Sequence, residues 1–308
     1  MPLHLDTPLI QSRQLSLLAD RRIWLKFDAL QPSGSFKLRG IGAACEEYKR
    51  QGKTRFVSSS GGNAGLAVAY AGRVLDIPVT VVIPESTPAH ARTLLEQEGA
   101  AVIVHGAAWA QANELAQSLL DETTAFLHPF DNPLLWTGHA TVIDEVVRAG
   151  AEFDAVILSV GGGGLLSGVV EGLERNGLSH IPVIAVETEG ADCLAQALTA
   201  GENIPISAIT SVATSLGANK VAEHAFKIAR SRDVRSAVVS DLEALDACEQ
   251  FLHDHRVLVE PACGASLATI YSPRRRTVLD GFQSPLVIVC GGATATIDKI
   301  REWRAAAA

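Results

Sequence analysis

Lys37 lies in Pro32-Ser33-Gly34-Ser35-Phe36-Lys37-Leu38-Arg39-Gly40, where turn-forming residues give way to a helical stretch that Gly40 and Gly42 loosen. An ammonium near a helix N-terminus meets the positive end of the helix dipole, which lowers its pKa and exposes a neutral amine. That is the form of lysine that condenses with an aldehyde to an imine. Spacing alone would favour an ordinary surface lysine after a turn. A P-loop is excluded, because G-x-x-x-x-G-K-[ST] is not met.

Three further stretches could bind a ligand. In Ser58-Ser59-Ser60-Gly61-Gly62-Asn63-Ala64-Gly65, small residues between a strand and a helix leave backbone N–H groups free for an anion such as a carboxylate. Asn63 adds an amide that can donate to a ring oxygen; a tight turn with Asn63 as helix cap fits the same residues. In Val160-Gly161-Gly162-Gly163-Gly164-Leu165-Leu166-Ser167-Gly168, four consecutive glycines carry an entropy cost that a bland loop does not explain. A turn stripped of side chains lets the backbone close on a phosphate. A dinucleotide-dependent oxidoreductase is a rival owner of that phosphate, since Glu187 ends the next strand where such folds place an acidic residue. Against it, Ser167 falls at the third glycine position and the unit lies mid-chain. Cys290, before Gly291 and Gly292, reads by itself as an inert buried thiol beside an approachable backbone. Arg39 and Arg92 read as helix-surface or structural charges.

The elements that must position these residues alternate between short apolar strands and amphipathic helices. Strands are predicted at 23–27, 55–58, 79–83, 101–104, 156–160, 183–186 and 286–289, and helices at 109–120 and 242–253 among others. This alternation indicates βαβ units in mainly parallel sheets, an α/β fold. Residues 1–35 are expected to hold one strand and to join 134–308 in a large domain, with 36–133 forming a small one. Each lobe is an open sheet flanked by helices. Ligands of such sheets sit beyond the carboxyl ends of the strands, so the active site is expected in the cleft between the lobes.

Composition narrows the partners. Of 308 residues 47% are hydrophobic and 19% charged, with a net charge of −8, which leaves no clustered base for nucleic-acid phosphate. The run Arg274-Arg275-Arg276 reads as a solvated turn. Five dispersed cysteines point to reduced thiols in a cytoplasmic protein, without a disulfide framework or zinc site. His253 and His255, two apart on a predicted helix, diverge and are assigned no metal. No apolar run approaches the roughly 18 residues of a membrane span, and Met1-Pro2-Leu3-His4 opens no signal peptide.

Together the motifs resemble the fold-type-II pyridoxal-phosphate family, in particular its serine dehydratase branch. The resemblance rests on 32–42, 59–65, Pro129-Phe130-Asp131, Gly138-His139-Ala140, 159–166, Val259-Glu260-Pro261-Ala262-Cys263-Gly264-Ala265 and Val289-Cys290-Gly291-Gly292, in order over nearly the whole chain. It implies dehydration and deamination of L-serine to pyruvate and ammonia, with L-threonine to 2-oxobutanoate as a second activity. Lys37 would carry pyridoxal 5'-phosphate as an imine and act as catalytic base. Phe36 and Asn63 would contact the ring, Gly161, Gly162, Gly163, Gly164 and Leu165 the phosphate, and Cys290 the pyridine nitrogen. Ser60, Gly61 and Asn63 would bind the substrate carboxylate. Glu187, with carbonyls near Ala191, Leu216 and Ala218, resembles a monovalent-cation site, potassium being the implied ion. The family's usual form is a homodimer. Threonine dehydratases and serine racemases share the fold. The biosynthetic threonine enzymes carry an added regulatory domain for which no residues remain here, and the racemases typically place His where this chain has Ala64.

Overall fold

The computed structural model describes residues 2–307, so Met1 and Ala308, the outermost residues of the expected large domain, lie outside it. Its strands are β1 (Leu9–Gln11), β2 (Trp24–Lys26), β3 (Arg55–Ser58), β4 (Val79–Ile83), β5 (Ala101–Val104), β6 (Thr124–Phe126), β7 (Ala155–Ser159), β8 (Val183–Thr188), β9 (Val234–Val239) and β10 (Pro285–Ile288). A six-stranded sheet has the order β1-β2-β10-β7-β8-β9, and a four-stranded sheet the order β5-β4-β3-β6. Only β1 runs antiparallel to its neighbour; the other pairs are parallel, with Val287 between Leu25 and Ile157 and Val57 opposite Thr80.

The central strands are buried on both faces, which is why they read as unbroken apolar runs: all of Ala155–Ser159 and Val183–Thr188 are buried. The helix Pro261–Tyr271 is buried at every position and contains no charge, so it fills the middle of the larger core beside Leu158, Val186 and Val287. A second core, around Phe56, Ala67, Val81 and Leu95, belongs to the smaller sheet. Among the described residues, no helix is long and apolar enough to cross a membrane.

Three strands depart from the expectations above. Residues 1–35 hold two strands, not one, because β1 pairs with β2 as an exposed three-residue edge. Strand β6 is also only three residues long. Strand β9 lies at the other edge of the larger sheet, with Arg235 and Ser236 exposed. Short or half-solvated edges lack the continuous apolar signal that marks a central strand.

The structure decides two readings of charge. Of the two alternatives for Arg39 it bears out the structural one: the side chain is fully buried, donating to Asp28 Oδ2 at 2.7 Å and to Glu145 Oε1 at 2.6 Å. Buried Lys26 joins the same cluster at 2.5 Å from Glu145 Oε2. The arginine run, by contrast, is not simply solvated. Arg275 pairs at 2.8 Å with Glu243, which also closes a capping box with Ser240 at the start of the helix Asp241–His255, and Arg276 donates to the Ile270 carbonyl at 2.7 Å. Arg92 is half-buried and holds the carbonyls of Glu85 and Thr87, a structural role.

Candidate active site

The strand-to-helix turns that follow β3, β7 and β10 open at the carboxyl ends of parallel strands, where open α/β sheets bind ligands. The turn before Lys37 is fastened to the one after β10. Phe36 N–H donates to the Cys290 carbonyl at 3.0 Å, and Gly292 N–H to the Gly34 carbonyl at 2.9 Å. A side chain at Gly291, whose φ is +93°, would come within 2.4 Å of that Gly34 carbonyl, so the approach requires glycine. Lys37 therefore opens the helix Lys37–Arg50 in the neighbourhood of Cys290.

The Lys37 amine donates to the Pro129 carbonyl at 2.5 Å. Its pKa is lowered to about 8, and the cause is burial; the negative charge of Glu260 and that available to Cys290 oppose it. The helix N-terminus is where the sequence placed it, but desolvation is what favours the neutral amine. Phe36 lies beside it, with the amine 5.1 Å from the ring centroid and the ring 4.9 Å from that of His139.

Asn63 is the first residue of the helix Asn63–Leu75, and Gly62 occupies the capping position. Its side chain does not cap the helix. Nδ2 donates to Glu260 Oε1 at 2.7 Å, and Oδ1 accepts from Ala293 N–H at 3.0 Å, so the amide reaches from the smaller sheet to elements of the larger. Ser60 and Gly61 line the same turn. Space beyond Gly61 is bounded by Thr87 and Ile83, whose methyl carbons would lie 2.7 and 3.2 Å from a Cβ there.

The four glycines are explained in part by packing. A Cβ at Gly161 would lie 2.9 Å from Leu216 Cα, at Gly162 2.4 Å from the Phe130 ring, at Gly163 2.3 Å from Ala225 Cβ, and at Gly164 2.8 Å from the Phe130 carbonyl. Among the described residues, the N–H groups of Gly161, Gly162 and Gly163 have no protein acceptor, and Gly164 and Leu165 begin the helix Gly164–Arg175. Unpaired amides at a helix N-terminus suit an anion such as a phosphate.

Glu187 is fully buried, and its two oxygens accept from the Leu194 and Ala195 N–H groups at 2.8 Å each, capping the helix Cys193–Ala200. A carboxylate so committed is not exposed to a ribose, which removes the support for a dinucleotide. Burial raises its pKa to about 8. Ala191 is bridged back to Thr188, and the Leu216 carbonyl accepts from Ala218 N–H at 2.7 Å.

One residue of the site carried no role in the sequence. Glu260 stands at the N-cap of the buried helix Pro261–Tyr271 yet makes no capping bond with its side chain. Its carboxyl turns towards Asn63, and burial raises its pKa to about 7, against hydrogen bonds from Ser215, Asn63 and Thr294 and the charge of Lys37. An acidic residue next to proline before eleven uncharged helical residues was the available signal.

A buried lysine with a lowered pKa, unpaired amides after β7 and polar side chains between them fit a phosphorylated aldehyde. The family model described as pyridoxal-phosphate dependent enzyme matches residues 1–291. The chain belongs to that family. Within this pyridoxal-phosphate family, similar proteins include the human "L-serine dehydratase/L-threonine deaminase", 46% identical over 97% of this chain and 94% of that one. The human "Serine dehydratase-like" protein is 48% identical over 94% of this chain and 91% of its own. A solved structure of a fungal L-serine ammonia-lyase from Rhizomucor miehei superposes with a TM-score of 0.94, at 32% identity and 99% coverage of both chains. The α/β architecture expected from the strand–helix alternation is that of the family.

Proposed function

We propose that this enzyme converts L-serine to pyruvate and ammonia, and L-threonine to 2-oxobutanoate as a second reaction. The observation that carries the reading is the desolvated Lys37 amine at the mouth of the glycine turns, in a chain nearly as long as relatives named for serine dehydration. Pyridoxal phosphate, when bound, supplies an aldehyde and an electron sink for the carbon that loses its proton. Lys37 would hold it through the side-chain nitrogen, and the same amine would take the α-proton of the substrate as base. Phe36 and Asn63 would border its ring, and Gly161 to Gly164 with Leu165 would hold its phosphate through backbone N–H groups. Ser60, Gly61 and Asn63 bind the substrate carboxylate. The test is visible absorbance of the purified protein followed by pyruvate and ammonia release from L-serine. A colourless protein without turnover refutes the reading.

Cys290 would face the ring nitrogen in this reading. The neighbouring Cys263 thiol and then burial push its pKa well up, so it stays neutral and offers that nitrogen no fixed negative charge. Cys290→Ser is expected to be mild. Cys290→Asp, which adds the missing charge, should slow pyruvate formation and raise exchange of the α-proton in deuterated water. Parent-like elimination with no added exchange in the Asp variant would return Cys290 to the inert core.

Glu187 with the carbonyls of Ala191, Leu216 and Ala218 forms a monovalent-cation site, potassium fitting best. Support comes from the buried carboxylate and from Leu216, which is packed against Gly161 of the phosphate turn. A bound cation needs the ionised carboxylate, so less potassium should be required as pH rises towards 8. Potassium should activate several-fold over a bulky organic cation, and Glu187→Gln should abolish the difference. Equal parent rates in both salts refute the site.

The same reading takes residues 36–133 as the small domain, and 1–35 with 134–308 as the large one, consistent with the strands each sheet draws on. Five unpaired thiols support a reducing, cytoplasmic setting. A homodimer is supported by exposed Ile10 on the edge strand β1 and exposed Leu17 and Leu18 after it, apolar surface that a second copy would cover. Sedimentation of the purified protein as a monomer would refute the dimer.

A further inference from the structure

We propose that Trp136 and His224 form a clasp that holds the glycine turn after β7 in shape, which makes both of them positioning residues of the cofactor site. The proposal rests on the reading of Gly161 to Leu165 as the phosphate turn and adds what fixes that turn in place. A run of four glycines has more backbone freedom than any other, so its amides bind an anion well only where the surroundings hold them still. Here the turn lies between two jaws. Phe130 forms the first: a Cβ at Gly162 would come within 2.4 Å of its ring, and one at Gly164 within 2.8 Å of its carbonyl oxygen. The start of the helix Glu223–Ser231, with the residues just before it, forms the second. A Cβ at Gly163 would lie 2.3 Å from Ala225 Cβ and 3.0 Å from Val221, and Ala222 N–H donates to the Gly162 carbonyl at 3.0 Å.

The two aromatic side chains join these jaws. The Trp136 indole Nε1 donates to the Phe130 carbonyl at 3.0 Å, and among the described residues that carbonyl has no other donor. The N–H groups of Phe130 and Asp131 meet His128 Nδ1 at 3.3 and 2.8 Å. One ring thus takes the donors of the loop, and the indole takes its carbonyl. His224 lies flat on the indole, with ring centroids 3.9 Å apart and planes within 8° of parallel. It belongs to the opposite jaw, immediately before Ala225. The stack fixes the plane of the indole, and that plane sets where Nε1 points. His224 is exposed and Trp136 only half-buried, so the pair adds little to either core. What it does is tie Phe130 to the 221–225 segment across the turn.

The test uses the cofactor-free protein and two aldehydes that differ only in the phosphate, pyridoxal 5'-phosphate and pyridoxal. Trp136→Phe keeps a ring for the stack and removes the N–H donor. His224→Ala removes the stack at an exposed position, where folding is not at stake. The dissociation constant for pyridoxal phosphate is expected to rise about tenfold in the first variant and about threefold in the second, the range of one hydrogen bond and one aromatic contact. For pyridoxal both variants should stay within about twofold of the parent, because the turn has no phosphate to hold. The double variant should lose less than the product of the two, since both act through the Phe130 carbonyl. Equal weakening of both aldehydes overturns the proposal in favour of a general structural role. Unchanged pyridoxal phosphate affinity in either variant overturns the clasp. A parent protein that binds pyridoxal phosphate no more tightly than pyridoxal would instead strike the phosphate-turn reading itself.

Discussion

Lys37→Ala is expected to abolish pyruvate release from L-serine, with turnover falling about 10⁴-fold or more, because in the proposed function the same nitrogen would anchor the cofactor and remove the α-proton. The fold should survive. Lys37 occupies the first turn of its helix, makes one side-chain hydrogen bond, to the Pro129 carbonyl, and carries an amine that burial disfavours as a cation. Alanine is a better helix former than lysine, and removing a desolvated amine relieves a cost. Two measurements check the result. Borohydride should no longer fix the cofactor to the protein, and the thermal unfolding midpoint should equal or slightly exceed the parent's. Substantial turnover with reducible attachment in the variant would remove Lys37 from its role.

Arg39→Met should be the most damaging single change to stability, costing about 3–5 kcal/mol, the usual loss when one partner of a buried ion cluster is removed. The guanidinium holds Asp28 through both of its oxygens and Glu145 through both of its own, and Thr7 Oγ1 accepts a further bond. Without it Asp28 keeps, among the described residues, only the Thr7 hydroxyl as a side-chain donor and lies fully buried, whereas Glu145 retains Lys26. The burden therefore falls on Asp28. Arg39→Met combined with Asp28→Asn should recover part of the loss in urea unfolding, and a single-variant loss under about 1 kcal/mol would contradict this account. Because Arg39 is two residues from Lys37 and ties its helix to the helix Pro133–Arg148, the destabilised variant should also lose turnover before it unfolds globally.

These two residues mark the boundary between what near neighbours encode and what they do not. The strands at 55–58, 79–83 and 101–104, the glycine turns after the strands, and the helix beginning at Lys37 follow from local periodicity and turn chemistry, and they were legible without coordinates. Edge strands β1 and β9 were not, because solvent on one side dilutes the apolar signal that buried strands carry. Nor does spacing tell a surface lysine from a desolvated one: two residues apart on one helix, Lys37 and Arg39 read alike as charges after a turn. Their fates depend on Glu260, Cys290, Asp28 and Glu145, and Glu145 lies 106 residues from Arg39.

The sequence by itself determined the order of strand, glycine turn and helix, and hence which backbone amides and which lysine are available to a ligand. Tertiary structure alone decided which charges are buried and what each one meets. Asn63 and Glu260 are 197 residues apart, and only the packing of the helix Pro261–Tyr271 against the larger sheet brings that carboxyl to the amide and to Lys37. Burial and long-range electrostatics shift a pKa or strand a charge, and both depend on neighbours that no local pattern specifies.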